Sequence, residues 1–426
     1  MRRLTAFGLA TLALAAGPLA AQGTLRDQLT ALFTFGDCGL PLCLDVDPEF
    51  HGQHFIPANQ TGNQAVLAFL DAAIGRSVAN LPLSATSSGV LFTFEGGVPV
   101  ATSLSAGPIF AERAQTLGAG RLYVGLNMTG LRYQEIRGVA LDNVILNFAH
   151  EDVTGDGLGQ PELENDVIQV HFGIDMSVYA ASLLVTWGML NFVDVGVAVP
   201  VVRTSLSGGS VAQIFPFGST PAHRFAGTVD DPILQTAEGA SGTATGIGDV
   251  AGRLKLKLAQ TGPVGYALLG DVRFPTGDEE NFLGAGDLSW RALAIVSGRW
   301  SDFSPHLNAG YLARTGDLDN DAILTTLGFD QLIGSWATLA IELIGEWQVG
   351  ESKLVLPGPI HYVSPFERTI PSSNIPGSRD DVIAGSVGFK ARLTGGLTLL
   401  GNALIPVGNG GVQPGVVWTA GVEYTF

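Results

Sequence analysis

Charge is scarce in this sequence. Only 14 % of its 426 residues are Asp, Glu, Lys or Arg, and the acids outnumber the bases by 39 to 22. A chain so poor in cations lacks the positive footprint that nucleic acid requires. Long apolar runs are missing as well. No 18-residue stretch is free of breakers and charges, and the nearest, 180–202, is interrupted by Asn191, Asp194 and Pro200. That excludes transmembrane helices, which need about 20 predominantly apolar residues. Catalytic signatures are also absent: there is no Gly-x-Ser-x-Gly elbow and no His-Glu-x-x-His. The seven histidines are scattered, and His223, His306 and His361 have no Ser or Asp partner at local spacing. The chain is therefore read as no enzyme, and no cofactor is expected.

What is present points to export. Arg2 and Arg3 precede an apolar run from Leu9 to Ala16, then Gly17, Pro18 and the small residues Ala20 and Ala21. A positive start, a short apolar stretch and a small-residue site make a signal peptide over 1–21, cleaved after Ala21. The formal charge of −17 becomes −19 when the two arginines leave. The only cysteines, Cys38 and Cys43, are expected to form a short disulfide in an oxidising compartment.

Hydropathy is positive although helices are excluded. A chain that spans lipid must satisfy its backbone internally, which leaves a closed β-barrel. The last strand has the required pattern. Trp418, Ala420, Val422, Tyr424 and Phe426 share one face, while Val417, Thr419, Gly421, Glu423 and Thr425 share the other. Arg253-Leu-Lys255-Leu-Lys257-Leu258 alternates leucines with cations. In Val382–Leu393, Ile383, Val387, Phe389 and Leu393 oppose Ser386, Lys390 and Arg392; Leu339, Ile341, Leu343 and Trp347 oppose Glu342 and Glu346. Apolar residues alternating with charges suit a lipid-facing wall around a polar lumen.

The connections alternate between long and short. Long or moderate ones are expected near 105–119, 150–166, 206–246, 276–286, 315–320, 349–380 and 407–414; tight ones fall near 135–138, 188–190, 260–262, 298–302, 333–334 and 394–396. Outer-membrane barrels have short periplasmic turns and longer outer loops. The expected fold is all-β: an antiparallel transmembrane barrel of about fourteen strands over 89–426. It closes by pairing 415–426 with 90–104. Residues 22–88 form a partly helical N-terminal segment, with helices near 24–32 and 60–79, that is either periplasmic or a plug.

A family resemblance follows from particular motifs. Gly246-Ile-Gly-Asp249-Val, Leu254–Leu258, Val272-Arg-Phe-Pro-Thr-Gly-Asp278, Leu283-Gly-Ala-Gly286, His306-Leu-Asn-Ala-Gly310-Tyr311 and Phe192-Val-Asp-Val-Gly-Val-Ala-Val-Pro200 resemble an outer-membrane transporter family. That family is named for a role in the meta-pathway of phenol degradation. Strand count and pre-barrel segment are also similar to the long-chain fatty-acid transporter family. The resemblance implies passive uptake of small, hydrophobic or aromatic molecules. The alternative is a non-transporting outer-membrane surface barrel whose outer loops bind a partner.

Lumen-lining candidates are Arg253, Lys255, Lys257, Asp271, Arg273, Arg291, Glu342, Glu346, Lys390 and Arg392. They serve either as contacts for solute or as a ladder of ion pairs that stiffens the wall. One acidic loop, Asp152-Val-Thr154-Gly-Asp156-Gly157, has the opening spacing of a calcium loop, with Glu162, Glu164 and Asp166 further on. Its twelfth position is Leu163, where a bidentate glutamate is needed, so a solvated acidic loop is the competing reading. Expected partners are the bacterial outer membrane with its lipopolysaccharide, a small-molecule solute, and the barrel assembly machinery through Phe426.

Overall fold

The computed structural model describes residues 23–35 and 74, strands 92–95 and 98–101, and 105–426 apart from 151, 153, 160–161, 217–222, 354–355, 357 and 394–395. The signal peptide, Cys38 and Cys43 lie outside the described residues, and of the helix expected over 60–79 only Ile74, helical and buried, lies within them.

Twelve antiparallel strands close into a barrel. They are β1 (Leu122–Ile136), β2 (Val167–Leu190), β3 (Val193–Phe215), β4 (Val250–Thr261), β5 (Val264–Phe274), β6 (Ser289–Gly298), β7 (Phe303–Arg314), β8 (Ala322–Ile333), β9 (Ala337–Gln348), β10 (Val382–Arg392), β11 (Leu397–Pro406) and β12 (Val417–Thr425). Each pairs with its neighbour in sequence, and β12 closes on β1, with Trp418 opposite Gly130 and Thr425 opposite Tyr123. No helix among the described residues is long and apolar enough to cross a membrane.

The wall has twelve strands rather than fourteen because two expected strands serve elsewhere. Among the described residues, 92–95 and 98–101 pair only with each other, and β12 finds β1 instead. Val144–Ala149 pairs with 167–172 of β2, above the level where β1 pairs with 177–187. β2 thus has two successive partners along one edge. β3 does the same, pairing with β4 over 193–198 and with Gln235–Ile247 over 201–213. The stretch 206–246, expected as an outer loop, is therefore largely a sheet that rises from the barrel at its long-loop end.

Alternation sets the two faces. Leu254, Leu258, Leu268, Leu307, Leu327, Leu343 and Val387 point outward and are exposed, while Lys255, Asp271, His306, Asp330, Glu342 and Lys390 point inward and are buried. In β12, Trp418 is 63 % exposed and Glu423 only 2 %. Aromatic side chains rim the band at both ends. Trp187, Phe192, Trp300, Phe303, Trp336 and Phe426 lie at the short-turn end, and Phe274, Trp290, Tyr311, Trp347 and Trp418 lie toward the other. Trp336 and Trp347 are 11 residues apart, which at about 3.3 Å per residue and a tilt of roughly 40° gives an apolar band about 28 Å tall.

At the long-loop end the interior is apolar. A helix, α1 (Leu25–Ala31), is started by a capping box in which Thr24 and Asp27 each accept the other's backbone N–H. Its Leu25 and Leu29, followed by Leu32, Phe33 and Phe35, pack with Phe172, Ile174, Leu206, Phe282 and Leu283. The Phe33 and Phe172 rings are 4.8 Å apart. Thus the described part of the N-terminal segment sits at the end opposite Phe426.

Three of the sequence motifs meet here. Asp249 accepts from Gly277 N (3.0 Å) and Ala285 N (2.8 Å), and Thr276 Oγ1 donates to Gly248 O (2.7 Å). One carboxylate therefore fastens the 276–286 loop to the head of β4, which gives these motifs a structural role.

Candidate functional site: an occupied lumen

Residues 105–117 lie inside the barrel and not, as expected, in an outer loop. The segment has no regular secondary structure, so its backbone donors need partners, and inward side chains of the wall supply them. Thr338 Oγ1 accepts from Ala106 N at 2.9 Å. The Glu342 carboxylate collects three consecutive amides: Ile109 at 3.2 Å, Phe110 at 3.1 Å and Ala111 at 3.0 Å. Asn308 accepts from Glu112 N (2.7 Å) and donates to Glu112 O (2.9 Å). Ser297 Oγ takes Ala114 N, and Asp194 takes Leu117 N, both at 2.9 Å. Ser105 and Leu117 are held by residues within a few positions of the tight turns, whereas Phe110 and Glu112 reach further up. The segment is a loop inserted from the short-turn end, with its apex in mid-lumen.

Ion pairs fix its two charged side chains. Arg113 is paired with Asp330, and its Nη2 also donates to Ser105 Oγ at 2.9 Å, which draws the two limbs together. Glu112 accepts from Lys255 Nζ at 2.9 Å and lies 3.6 Å from Arg253. Two glycines make room. A Cβ on Gly388 would sit 2.4 Å from Ile109, and one on Gly328 would sit 2.8 Å from His306 Nε2. His306 stands between Asp330 (3.8 Å) and Glu342 (3.6 Å).

The ten candidate residues divide by position. Arg253, Asp271 and Arg291 stand directly opposite one another on β4, β5 and β6, forming one row. Arg253 Nε donates to Asp271 at 2.6 Å, while Arg273 and Arg291 stand 3.6 Å and 3.5 Å from the same carboxylate. Glu346 is paired with Arg314 (2.5 Å), and Lys390 with Glu423 (3.0 Å). Lys257 is half-buried beside the bulge between Lys257 and Ala259. Arg392 lies at a tight turn and donates to Ser335 O at 2.8 Å. Lys255 and Glu342, expected to meet solute or to pair along the wall, instead hold the inserted loop, with Arg253 3.6 Å from its Glu112. Sequence reading missed Asp194, Asn308, Asp330, Glu112 and Arg113; Asp194, His306 and Asn308 lay inside quoted motifs, where alternation marked them as inward.

In the acidic outer loop, carboxylates of Asp152, Asp156 and Glu164 come within 4.8 Å of one another. Asp152 accepts from Gly155 N (2.7 Å) and Gly157 N (3.0 Å), and Thr154 donates to Asp156. The loop closes on itself. A further space of about 1300 Å³ is bordered by outward-facing Met128, Tyr179, Phe389 and Trp418 and by inward-facing Thr129, Asn402 and Thr419.

No family model matches the chain, and no curated protein matches it. Among solved structures it is similar to an outer-membrane channel from Pseudomonas putida F1, at 12 % identity over 74 % of this chain and 98 % of that one, with a TM-score of 0.41. The monoaromatic hydrocarbon channel CymD gives 10 % identity over 73 % and 89 %, with a TM-score of 0.35. A FadL homologue from Pseudomonas aeruginosa gives 8 % over 72 % and 88 %, with a TM-score of 0.29. Likeness at this level says nothing about solute, which has to be argued from the lumen itself.

Proposed function

We propose that the protein is an outer-membrane channel for passive uptake of small hydrophobic or aromatic molecules, kept narrow by its own 105–117 loop. The observation that carries this reading is how the loop is held. Wall side chains grip its backbone and charges through hydrogen bonds and ion pairs, beside the apolar packing of Ala114 and Leu117 against the wall. These contacts lie outside the backbone ladder that joins the strands, so the occupant can shift while the wall stays intact, and water can take over the polar groups it leaves. The apolar lining at the long-loop end, with Phe172, Phe225 and Phe282, suits a hydrophobic solute, and the motifs quoted above agree with an aromatic one. Under this reading the tight turns and Phe426 face the periplasm, Phe426 is the handle for the assembly machinery, the upper sheet meets lipopolysaccharide, and Cys38 pairs with Cys43. The filled mouth favours the rival, a surface barrel that transports nothing. Swelling of liposomes carrying the full chain separates the two. Entry of phenol, toluene or a short-chain alcohol faster than in empty liposomes is expected, and a barrel that admits none of them would leave the surface reading standing.

A further inference from the structure

Above the apex of the inserted loop lies a lumen cavity of about 160 Å³. One wall carries Arg253, Arg273 and Arg291. Leu293 and Leu312 flank Arg291 along the same wall, Ile344 stands two strands further round, and Phe110 with Glu112 of the inserted loop completes the lining. Charge is not balanced across this space. Lys255 is satisfied by Glu112, Arg314 by Glu346, and Arg253 by Asp271. Arg273 and Arg291 are left with one shared carboxylate, already accepting from Arg253 at 2.6 Å. Among the described residues Asp271 is the one carboxylate within 4 Å of Arg273, at 3.6 Å and beyond hydrogen-bond reach, with Asp249 acting from further off, although the Arg273 side chain is just 8 % exposed. Arg291 Nε is buried without a partner. A buried guanidinium is costly unless paired; Arg273 is buried with no hydrogen-bonded anion, and Arg291, 24 % exposed, has only a long 3.5 Å hydrogen bond to the carboxylate that Arg253 already holds.

We propose that this cavity binds a small organic monocarboxylate with an apolar body, of about the size of benzoate. The carboxylate would take hydrogen bonds from Arg273 and Arg291, whose planar forks match its geometry. The body would lie on Leu293, Leu312 and Ile344. Placing the cavity at the solute's first polar station rests on the channel reading. Binding itself does not, because calorimetry on the detergent-purified full chain reads the site whether or not the barrel conducts.

Sodium benzoate is the probe, with benzamide as its uncharged isostere and acetate as its headgroup alone. Benzoate is expected to bind at least tenfold tighter than either. Arg273→Gln and Arg291→Gln should each weaken it tenfold or more, the scale of one charge-assisted hydrogen bond. Arg273→Lys, which keeps the charge, should lose less, and retention of heat-modifiable mobility on gels reports that each variant is folded. Arg132→Gln, in an exposed ion pair with Asp175, should bind as the parent does. Equal affinity for benzoate and benzamide, no heat with benzoate, or benzoate binding indifferent to both glutamine variants would overturn the assignment.

Discussion

Replacing Glu342 with glutamine removes the charge from the side chain that collects the amides of Ile109, Phe110 and Ala111. Glutamine has nearly the same shape, so the wall is not disturbed. It offers one carbonyl oxygen where the carboxylate offers two, and its amide group turns a donor toward donors. At least one amide loses its acceptor and the others lose charge assistance. Hydrogen bonds to charged groups contribute about 1.5–3 kcal/mol each. Losing the equivalent of one to two of them weakens docking of the loop by about 2–4 kcal/mol, or roughly 30- to 1000-fold in its opening equilibrium. Hydrogen exchange read by mass spectrometry reports that opening directly. The peptide spanning 105–117 should exchange faster by that factor in the Glu342→Gln protein, while peptides of β8 and β9 should not. Unchanged exchange over 109–111 in a folded barrel would refute the claim that this carboxylate holds the loop.

Three other predictions concern the wall and the outer loops. Lys390 and Glu423 form a pair that is 0 % and 3 % exposed. Lys390→Met, by stranding a buried carboxylate, should cost about 3–5 kcal/mol, and adding Glu423→Leu should restore most of it; urea unfolding in vesicles measures both. Leu327, in mid-strand on β8, and Phe366, in the 349–380 loop, are 60 % and 59 % exposed. Leu327→Arg should cost about 2–4 kcal/mol if the outer face meets lipid, and Phe366→Arg under about 0.5 kcal/mol. Equal costs would place both in water. Asp381 accepts from Arg379 and from Gln348 N, and the Arg379 hydrogen bond holds its carboxyl below the ordinary 3.8. A depressed carboxyl contributes stability that is present above 3.8 and is lost as pH falls through the lower folded value. Protease nicking of the 349–380 loop should therefore stay constant down to about pH 4 and rise only below it; a rise beginning near pH 6 would contradict this.

Alternation made the faces of the wall legible because a strand reverses its side chains at every residue. Leu254 against Lys255 and Trp418 against Glu423 needed no tertiary knowledge. Partner choice was not legible, because backbone pairing carries no local signature. Val90–Leu104 and Val139–Ala149 have strand composition, yet 92–95 pair with 98–101 and Val144–Ala149 pairs with the far part of β2, so neither adds to the twelve. One warning was present. The 24 residues of β2 extend about 80 Å at roughly 3.3 Å each, about twice what a tilted crossing needs. The excess is the sheet that rises from the barrel. The inserted loop was hidden for a different reason: residues 105–117 have neither period, and length alone assigned them outside. Ile109, Phe110, Ala111, Ala114 and Leu117 are, however, too apolar for a solvated outer loop, and that composition is the signal that could have placed them in the lumen.

The central claim is that 105–117 closes a lumen that would otherwise conduct. Single-channel conductance in planar bilayers tests it most directly, comparing the full chain with a variant in which 106–116 are replaced by a short Gly/Ser linker. Both limbs of the loop are held near the same end, so the linker need not stretch. The full chain should show small, rare openings and the variant a larger, sustained conductance. Identical traces from the two, each correctly inserted, would contradict the claim.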